Sequence, residues 1–435
     1  MMERGEWLVP YFNGEMDYWN TKPPMIHWVQ IISMKIFGIN EFAVRFPSAL
    51  AGLFTVLLVY WFLKRHFNTL TGIAGALVLL TSVGFVTFHG TRTGDTDALL
   101  TFFITLAYLL ILDIFLQKKI SGKNLAVISG ALILGFLTKS IVVFLFLPAV
   151  FIYGWLFERN FFIQVLKSKW LWMACATVLI FSAGFILLRN SVQPGYLDLF
   201  FESDMGRVGT TIERHNEPFW FYIDNFIYSR YSYWILFFIA SFLLLFAGVN
   251  NGKTKQILRY VSVISVFYLI FISVSVTKLA WYDLPLFPIF ALNIALLIHF
   301  VVTQFEISLI KSGFALFLLF ALPYKHVFGL NQANHYSTFE TQNEVKERYL
   351  RKQISAQNSS FNDTMIIYHD SYNRSLLFYQ KAYPHGIKIV VTDRPNFGHN
   401  DKVLISDEHL KKIFESRYRF EIIEQFENLN IYKVK

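Results

Sequence analysis

Hydrophobic residues in this chain come in long unbroken blocks rather than in the one-sided stripe of a soluble helix. Blocks at 46–63, 70–88, 98–116, 124–138, 141–157, 170–188, 231–248, 260–276, 282–302 and 307–323 read as apolar helices. At about 1.5 Å per residue the first of them spans about 27 Å, close to the thickness of a bilayer's hydrocarbon core. From residue 324 the pattern changes. Short β-runs at Thr364–His369, Ile387–Thr392, Lys402–Ser406 and Phe420–Glu424 alternate with helical stretches near 373–382 and 407–416, after a polar linker at 331–361. The pattern predicts a polytopic α-helical membrane protein with about ten membrane helices and a small C-terminal α/β domain. Its parts are an outer loop (1–45), a multi-helix domain (46–323), and a linker with a soluble domain (324–435).

Composition agrees: 54% of residues are hydrophobic, only 16% are charged, and mean hydropathy is +0.43. The single cysteine, Cys175, excludes a disulfide framework and a cysteine-rich metal site. A net charge of +9 would point to nucleic acid in a soluble protein, but its placement gives another meaning. Alternate short loops, among them those with Lys64 and Arg65, with Lys118, Lys119 and Lys123, and with Lys253, Lys255 and Arg259, hold nearly all of the excess. The opposite set of loops sums to zero. Positive loops stay on the cytoplasmic side, so the N-terminal stretch, the long loop 189–230 and the C-terminal domain are expected outside.

The residues able to do chemistry lie in those outer loops. Lys22, before Pro23 and Pro24, sits in a segment that cannot be helical; it is either a point charge for a phosphate or an interfacial lysine. Asp95 and Asp97 precede the helix starting near Ala98, where carboxylates cap the helix dipole or, with Arg92 nearby, handle an acceptor hydroxyl. Lys139 falls between two apolar blocks, a costly place for an unpaired charge unless it marks a turn at the surface. Loop 189–230 holds Glu202, Arg207 and His215 with an aromatic run, Phe219 to Tyr222, that also suits a membrane interface. Lys278 and Tyr282 lie in a turn between two membrane helices, as headgroup contacts or as interfacial anchors.

In this order, Gly5-Glu6-Trp7-Leu8-Val9-Pro10, Lys22-Pro23-Pro24, Arg45-Phe46-Pro47-Ser48, Arg92 to Asp97, Thr138-Lys139, His215 with Pro218-Phe219-Trp220, and Lys278 to Pro288 resemble the landmarks of lipid-linked sugar transferases of the aminoarabinose-transferase and protein O-mannosyltransferase type. The resemblance implies a GT-C fold and an inverting glycosyl transfer from an undecaprenyl-phosphate sugar to a lipid, glycan or protein acceptor. It places the enzyme in the bacterial cytoplasmic membrane, its C-terminal domain on the outer side. By analogy Lys22, Arg207, Lys139 and Lys278 hold the donor phosphate, Asp95 or Asp97 is catalytic, and Arg92, Glu202, His215 and Tyr282 line the substrates. No cofactor is implied, and the departure at Thr21, where some relatives carry Glu, argues against a Glu–His metal site. Relatives also begin with a further membrane helix and an acidic pair, whereas this chain starts inside that first outer loop. The alternatives are a transporter or flippase, or an inactive truncated transferase acting as a binding protein.

Overall fold

The computed structural model describes all residues except 3, 13–14, 19, 88, 210–216, 246–251, 334–341, 356–363, 370–375, 377, 380–381 and 383–387. The chain divides into two compact units, Met1–Asn334 and His335–Lys435.

Among the described residues of the first unit, seven helices are long and apolar enough to cross a membrane: Glu41–His66, Asp97–Gln117, Gly122–Phe144 with its terminal turn, Lys169–Val192, Gly252–Val274, Leu286–Gln304 and Leu309–Asn331. A pair bent by 119°, Phe221–Arg230 with Ile235–Leu243, makes eight if it counts as one span. The other two of the ten expected helices are, among the described residues, the shorter apolar helices Thr69–Leu80 and Leu147–Phe157. The first stops because the Thr81 and Ser82 hydroxyls turn back onto the carbonyls of Leu77 and Val78, at 2.6 and 2.5 Å. Such back-bonding competes with the continuing helix ladder. A further short helix, Met25–Phe37, follows Lys22 and the two prolines.

Asparagines start two helices, each side chain accepting the backbone N–H three residues on: Asn40 from Ala43 at 2.8 Å and Asn68 from Thr71 at 2.9 Å. The centre of the unit is Leu286–Gln304, whose residues from Leu286 to Leu296 are all buried. The outermost spans, Lys169–Val192 and Leu309–Asn331, expose Leu179, Ile180, Phe181, Phe314 and Phe317. Apolar side chains exposed along a whole span are what lipid tails solvate.

The N-terminal stretch carries a small antiparallel ladder, β1 (Tyr11–Phe12) on β2 (Glu15–Met16). The second unit is an α/β sheet of five strands in the order β4-β3-β5-β7-β6: β3 (Thr364–Tyr368), β4 (Lys388–Thr392), β5 (Lys402–Ile405), β6 (Phe420–Phe426) and β7 (Leu429–Val434). β3 pairs in parallel with β4 and β5, and β7 pairs antiparallel with β5 and β6. Four strands match the predicted runs. The fifth, β7, and the helix Gln342–Ser355 inside the expected linker were not predicted. That helix is mostly polar, yet it buries Val345, Tyr349 and Leu350 against the sheet.

Candidate active site

Helix Gly122–Lys139 ends where Ser140 takes φ +56°. This break turns Lys139 inward. Its Nζ lies 2.5 Å from Asp97 Oδ1 and 4.7 Å from the centre of the Tyr282 ring. Asp97 is the first residue of helix Asp97–Gln117, where the helix dipole favours a carboxylate. Capping alone would leave it at the surface. Instead its side chain is 2% exposed and that of Lys139 is 7% exposed. A buried charge is tolerable when paired, and here each ion pairs with the other.

Lys22 is held by its backbone. Arg189, fully buried near the end of helix Lys169–Val192, donates to the carbonyls of Asn20, Thr21 and Lys22 at 2.7, 3.3 and 2.8 Å. The Tyr196 hydroxyl adds a bond to the Thr21 carbonyl at 2.9 Å, and Thr21 Oγ1 bonds Ser203 Oγ at 2.8 Å. The extended segment that the prolines demand is thus clamped from the long loop.

The loop before Asp97 is clamped as tightly. Gln30 Nε2 donates to the Gly94 carbonyl at 2.9 Å, and Ser48 Oγ donates to that of Asp95 at 2.9 Å. Gly94 allows this approach: a Cβ there would lie 2.7 Å from the Val44 carbonyl oxygen. The Asp95 carboxylate hydrogen-bonds His89 Nδ1 and the Thr96 backbone N–H. His89 stacks on Trp281 with ring centres 3.6 Å apart. Burial pushes the Asp95 carboxyl up, but the His89 bond and the charges of Lys22, His89 and Lys139 outweigh it and hold the group below the usual carboxylate range.

These elements surround a cavity of about 850 Å³, its open mouth included. Its lining combines polar residues, Lys22, Asp97, Lys139, Ser203, Asp204 and Tyr282, with apolar ones, Leu100, Ile141, Val142, Leu145, Phe271 and Ile272. Such a cavity can take a ligand with a charged head and a hydrocarbon tail.

Of the residues singled out from the sequence, Lys22, Asp97, Lys139 and Tyr282 meet at this cavity, and Asp95 adjoins it through the charges of Lys22 and Lys139. Arg92 points elsewhere, donating to the Asn331 backbone and side-chain oxygens at 2.6 and 2.9 Å. Glu202 is exposed; its neighbours Ser203 and Asp204 line the cavity instead. Lys278 donates to the Glu217 carbonyl at 2.9 Å, and burial pushes its ammonium below the usual lysine range. Arg207 falls in the short helix Gly206–Gly209, and His215 lies outside the described residues. Arg189 and Tyr268 were missed, and Ser203 and Asp204 stood out only as part of the loop run around Glu202. For Arg189 a signal existed, an ionisable residue one position beyond an apolar block. For Tyr268 none did.

Residues 21–187 match the family described as dolichyl-phosphate-mannose-protein mannosyltransferase. An uncharacterized protein of Aquifex aeolicus is 31% identical over 293 residues, 67% of this chain and 55% of that protein. The undecaprenyl phosphate-alpha-4-amino-4-deoxy-L-arabinose arabinosyl transferase of Wigglesworthia glossinidia brevipalpis is 27% identical over 299 residues, 66% of this chain and 50% of that enzyme. The chain thus spans about half the length of the curated relatives it matches. Among solved structures, ArnT from Cupriavidus metallidurans bound to undecaprenyl phosphate superposes with a TM-score of 0.70 at 14% identity, over 100% of this chain and 91% of that one. The oligosaccharyltransferase of Archaeoglobus fulgidus in its apo form gives 0.53 at 14% identity, over 90% and 59%. Across residues 21–187 the chain is thus similar to the protein mannosyltransferase family, and over its length it has the GT-C fold.

Proposed function

We propose that this chain transfers a sugar from a polyprenyl phosphate to an acceptor hydroxyl at the outer face of a bacterial cytoplasmic membrane, with its second unit on that side. The observation that carries the reading is the mixed lining of the cavity, where Lys22, Lys139 and hydroxyl-bearing side chains stand with Asp97, Asp204 and a set of apolar side chains. A sugar phosphate with an isoprenoid tail needs both kinds of contact.

In this reading the acceptor oxygen attacks the anomeric carbon, the bond from that carbon to the phosphate oxygen breaks, and its electron pair leaves on the phosphate. Lys22 stabilises that charge as a fixed cation. The resemblance adds Arg207 as a second cation, and Lys139 and Lys278 as further ones. Asp95 or Asp97 stands on the acceptor side, with Tyr282 beside Lys139. A transporter would set its ionisable groups near the middle of the membrane; here Lys22, Asp95, Asp97 and Lys139 all lie in loops or at helix ends.

The test uses purified protein in detergent with undecaprenyl phosphate as the probe. Wild type is expected to gain thermal stability on adding it, and Lys22→Ala to weaken that binding at least about tenfold, worth about 1.4 kcal/mol. Asp97→Asn is expected to abolish donor consumption in native membranes while expression is retained. Undiminished binding by the first variant and undiminished transfer by the second would overturn the assignment.

A further inference from the structure

Lys139 and Asp97 both line the cavity, and each holds the other, Nζ to Oδ1 at 2.5 Å. Glycosyl transfer makes two demands on such a site. The leaving phosphate needs cations, and the acceptor hydroxyl needs a group that takes its proton. At rest each member of the pair damps the other. The ammonium makes the carboxylate a weaker base, and the carboxylate neutralises the ammonium.

The reaction itself changes that balance. When a hydroxyl proton reaches Asp97 its carboxylate loses charge, while negative charge gathers on the phosphate oxygen. An ammonium within reach of both is drawn from the first to the second. Lysine suits such a move, because it carries a compact charge with three donor hydrogens on a flexible stem. The Tyr282 ring, 4.7 Å from Nζ, supports the charge without competing as an anion. Lys22 lines the same cavity, and its charge and that of Lys139 both act on the Asp95 carboxylate, so the two ammoniums serve one region. Asp97 Oδ2 lies 3.4 Å from the Thr96 hydroxyl. A carboxylate offers about four lone-pair sites, so these two bonds leave it able to accept a further hydrogen.

We propose that Lys139 changes partner during the reaction, from Asp97, which takes the acceptor's proton, to the phosphate that leaves. The inference rests on the glycosyl-transfer reading above. It assigns the base to Asp97 rather than Asp95, whose carboxylate is bound to His89 and the Thr96 N–H. The hydroxyl oxygen bonds to the anomeric carbon as its proton passes to Asp97. The bond from that carbon to the phosphate oxygen breaks, its electron pair stays on the phosphate, and Lys139 joins Lys22 there. Asp97 then gives its proton to water, the phosphate departs and the ion pair re-forms. Lys139 thus adds little to holding the donor and much to the transition state, the kind of interaction that raises rate rather than affinity.

The test measures undecaprenyl-phosphate binding by purified protein in detergent, and donor consumption in native membrane vesicles. Undecaprenyl-phosphate-linked 4-amino-4-deoxyarabinose and undecaprenyl-phosphate mannose serve as donors. Asp97→Asn stands in for the protonated carboxyl and releases Lys139. It is expected to bind undecaprenyl phosphate at least about tenfold more tightly than wild type, the size of one charge-assisted hydrogen bond. Asp95→Asn removes the same charge from the same loop without releasing Lys139, and should stay within about threefold of wild type. Lys139→Gln, whose amide can still donate to Asp97, should also bind within about threefold, yet slow consumption at saturating donor by about 10²-fold or more. In that background Asp97→Asn should no longer tighten binding. A Lys139→Gln variant that loses binding as much as rate overturns the proposal alone, because its lysine then holds the phosphate throughout. So does an Asp97→Asn variant that binds no more tightly than wild type, or an Asp95→Asn variant that tightens equally. If Lys139→Gln does not fold, the two aspartate variants decide. A wild type that neither binds undecaprenyl phosphate nor consumes either donor overturns the transferase reading and the proposal with it.

Discussion

Arg230 grips Asp283 with two parallel hydrogen bonds, Nε to Oδ2 at 2.8 Å and a terminal nitrogen to Oδ1 at 2.7 Å. The same guanidinium reaches the Gly84 carbonyl at 3.2 Å. It thereby ties the turn Ala280–Asp283, which presents Trp281 to His89 and Tyr282 to Lys139, to the segment that leads into the aspartate loop. Asp283 is fully buried.

Arg230→Met is accordingly expected to strand a buried carboxylate and cost about 3–5 kcal/mol, the usual penalty for breaking such a pair from one side. Thermal unfolding in detergent reads the loss. The double change Arg230→Met with Asp283→Leu should recover much of it, because neither charge then remains. A single variant as stable as wild type would show that the pair does not hold the turn.

The Lys139–Asp97 pair separates stability from function in the same way. Lys139→Met alone leaves Asp97 buried without its cation, and a loss of about 3–5 kcal/mol is expected. Adding Asp97→Asn should restore most of that stability and none of the sugar transfer. If the double variant transfers sugar at the wild-type rate, the pair is a structural element and the chemistry lies elsewhere.

A pH dependence follows from His27, in the helix after Lys22. Burial and, after it, the charge of the N-terminal amine push its imidazole down to about 4, with Arg189 adding less, while a bond with Gln30 and the Asp17 charge act the other way. Asn20 Nδ2 lies 3.3 Å from its Nε2, a bond that suits the neutral ring. In the unfolded chain the group titrates near 6.5. The folded value is the lower one, so the unfolded state binds more protons between the two. The stability that His27 contributes is complete above about pH 6.5 and is lost as pH falls towards 4, by about 3 kcal/mol at most. Thermal unfolding across that window should show the slope, and His27→Gln should flatten it. An unchanged slope in the variant would assign it to other groups.

The fold was legible because a membrane reduces the sequence to long apolar blocks and the loops between them. Lys22, Asp97, Lys139 and Tyr282 were legible for a related reason, since an ionisable or polar residue beside such a block needs an explanation. Where a helix stops within its block was not legible, because Thr81 and Ser82 end it by side-chain bonds that hydrophobic pattern does not encode. His89 was hidden for another reason. Its bond to Asp95 depends on a left-handed backbone turn, and its stack on Trp281 joins residues far apart in the chain. Hydrophobic pattern encodes neither. The helix Gln342–Ser355 escaped because its few buried residues sit among charges that read as a linker.

The second unit offers a separation of its own. It has hydrophobic clusters on its sheet, with Leu404, Ile405, Phe414 and Tyr432 fully buried. All of the cavity-lining residues lie between Lys22 and Pro285, within the first unit. A chain lacking residues 335–435 is therefore expected to keep its thermal stabilisation by undecaprenyl phosphate, with affinity within about threefold of the full chain, well under the roughly 1.4 kcal/mol of a tenfold change. Leu404→Ala in the full chain should destabilise the second unit by about 2–5 kcal/mol, the cost of emptying a packed core position, and leave undecaprenyl-phosphate binding unchanged. Binding that disappears with the second unit, while the shortened chain still folds in detergent, would place part of the donor site outside the cavity.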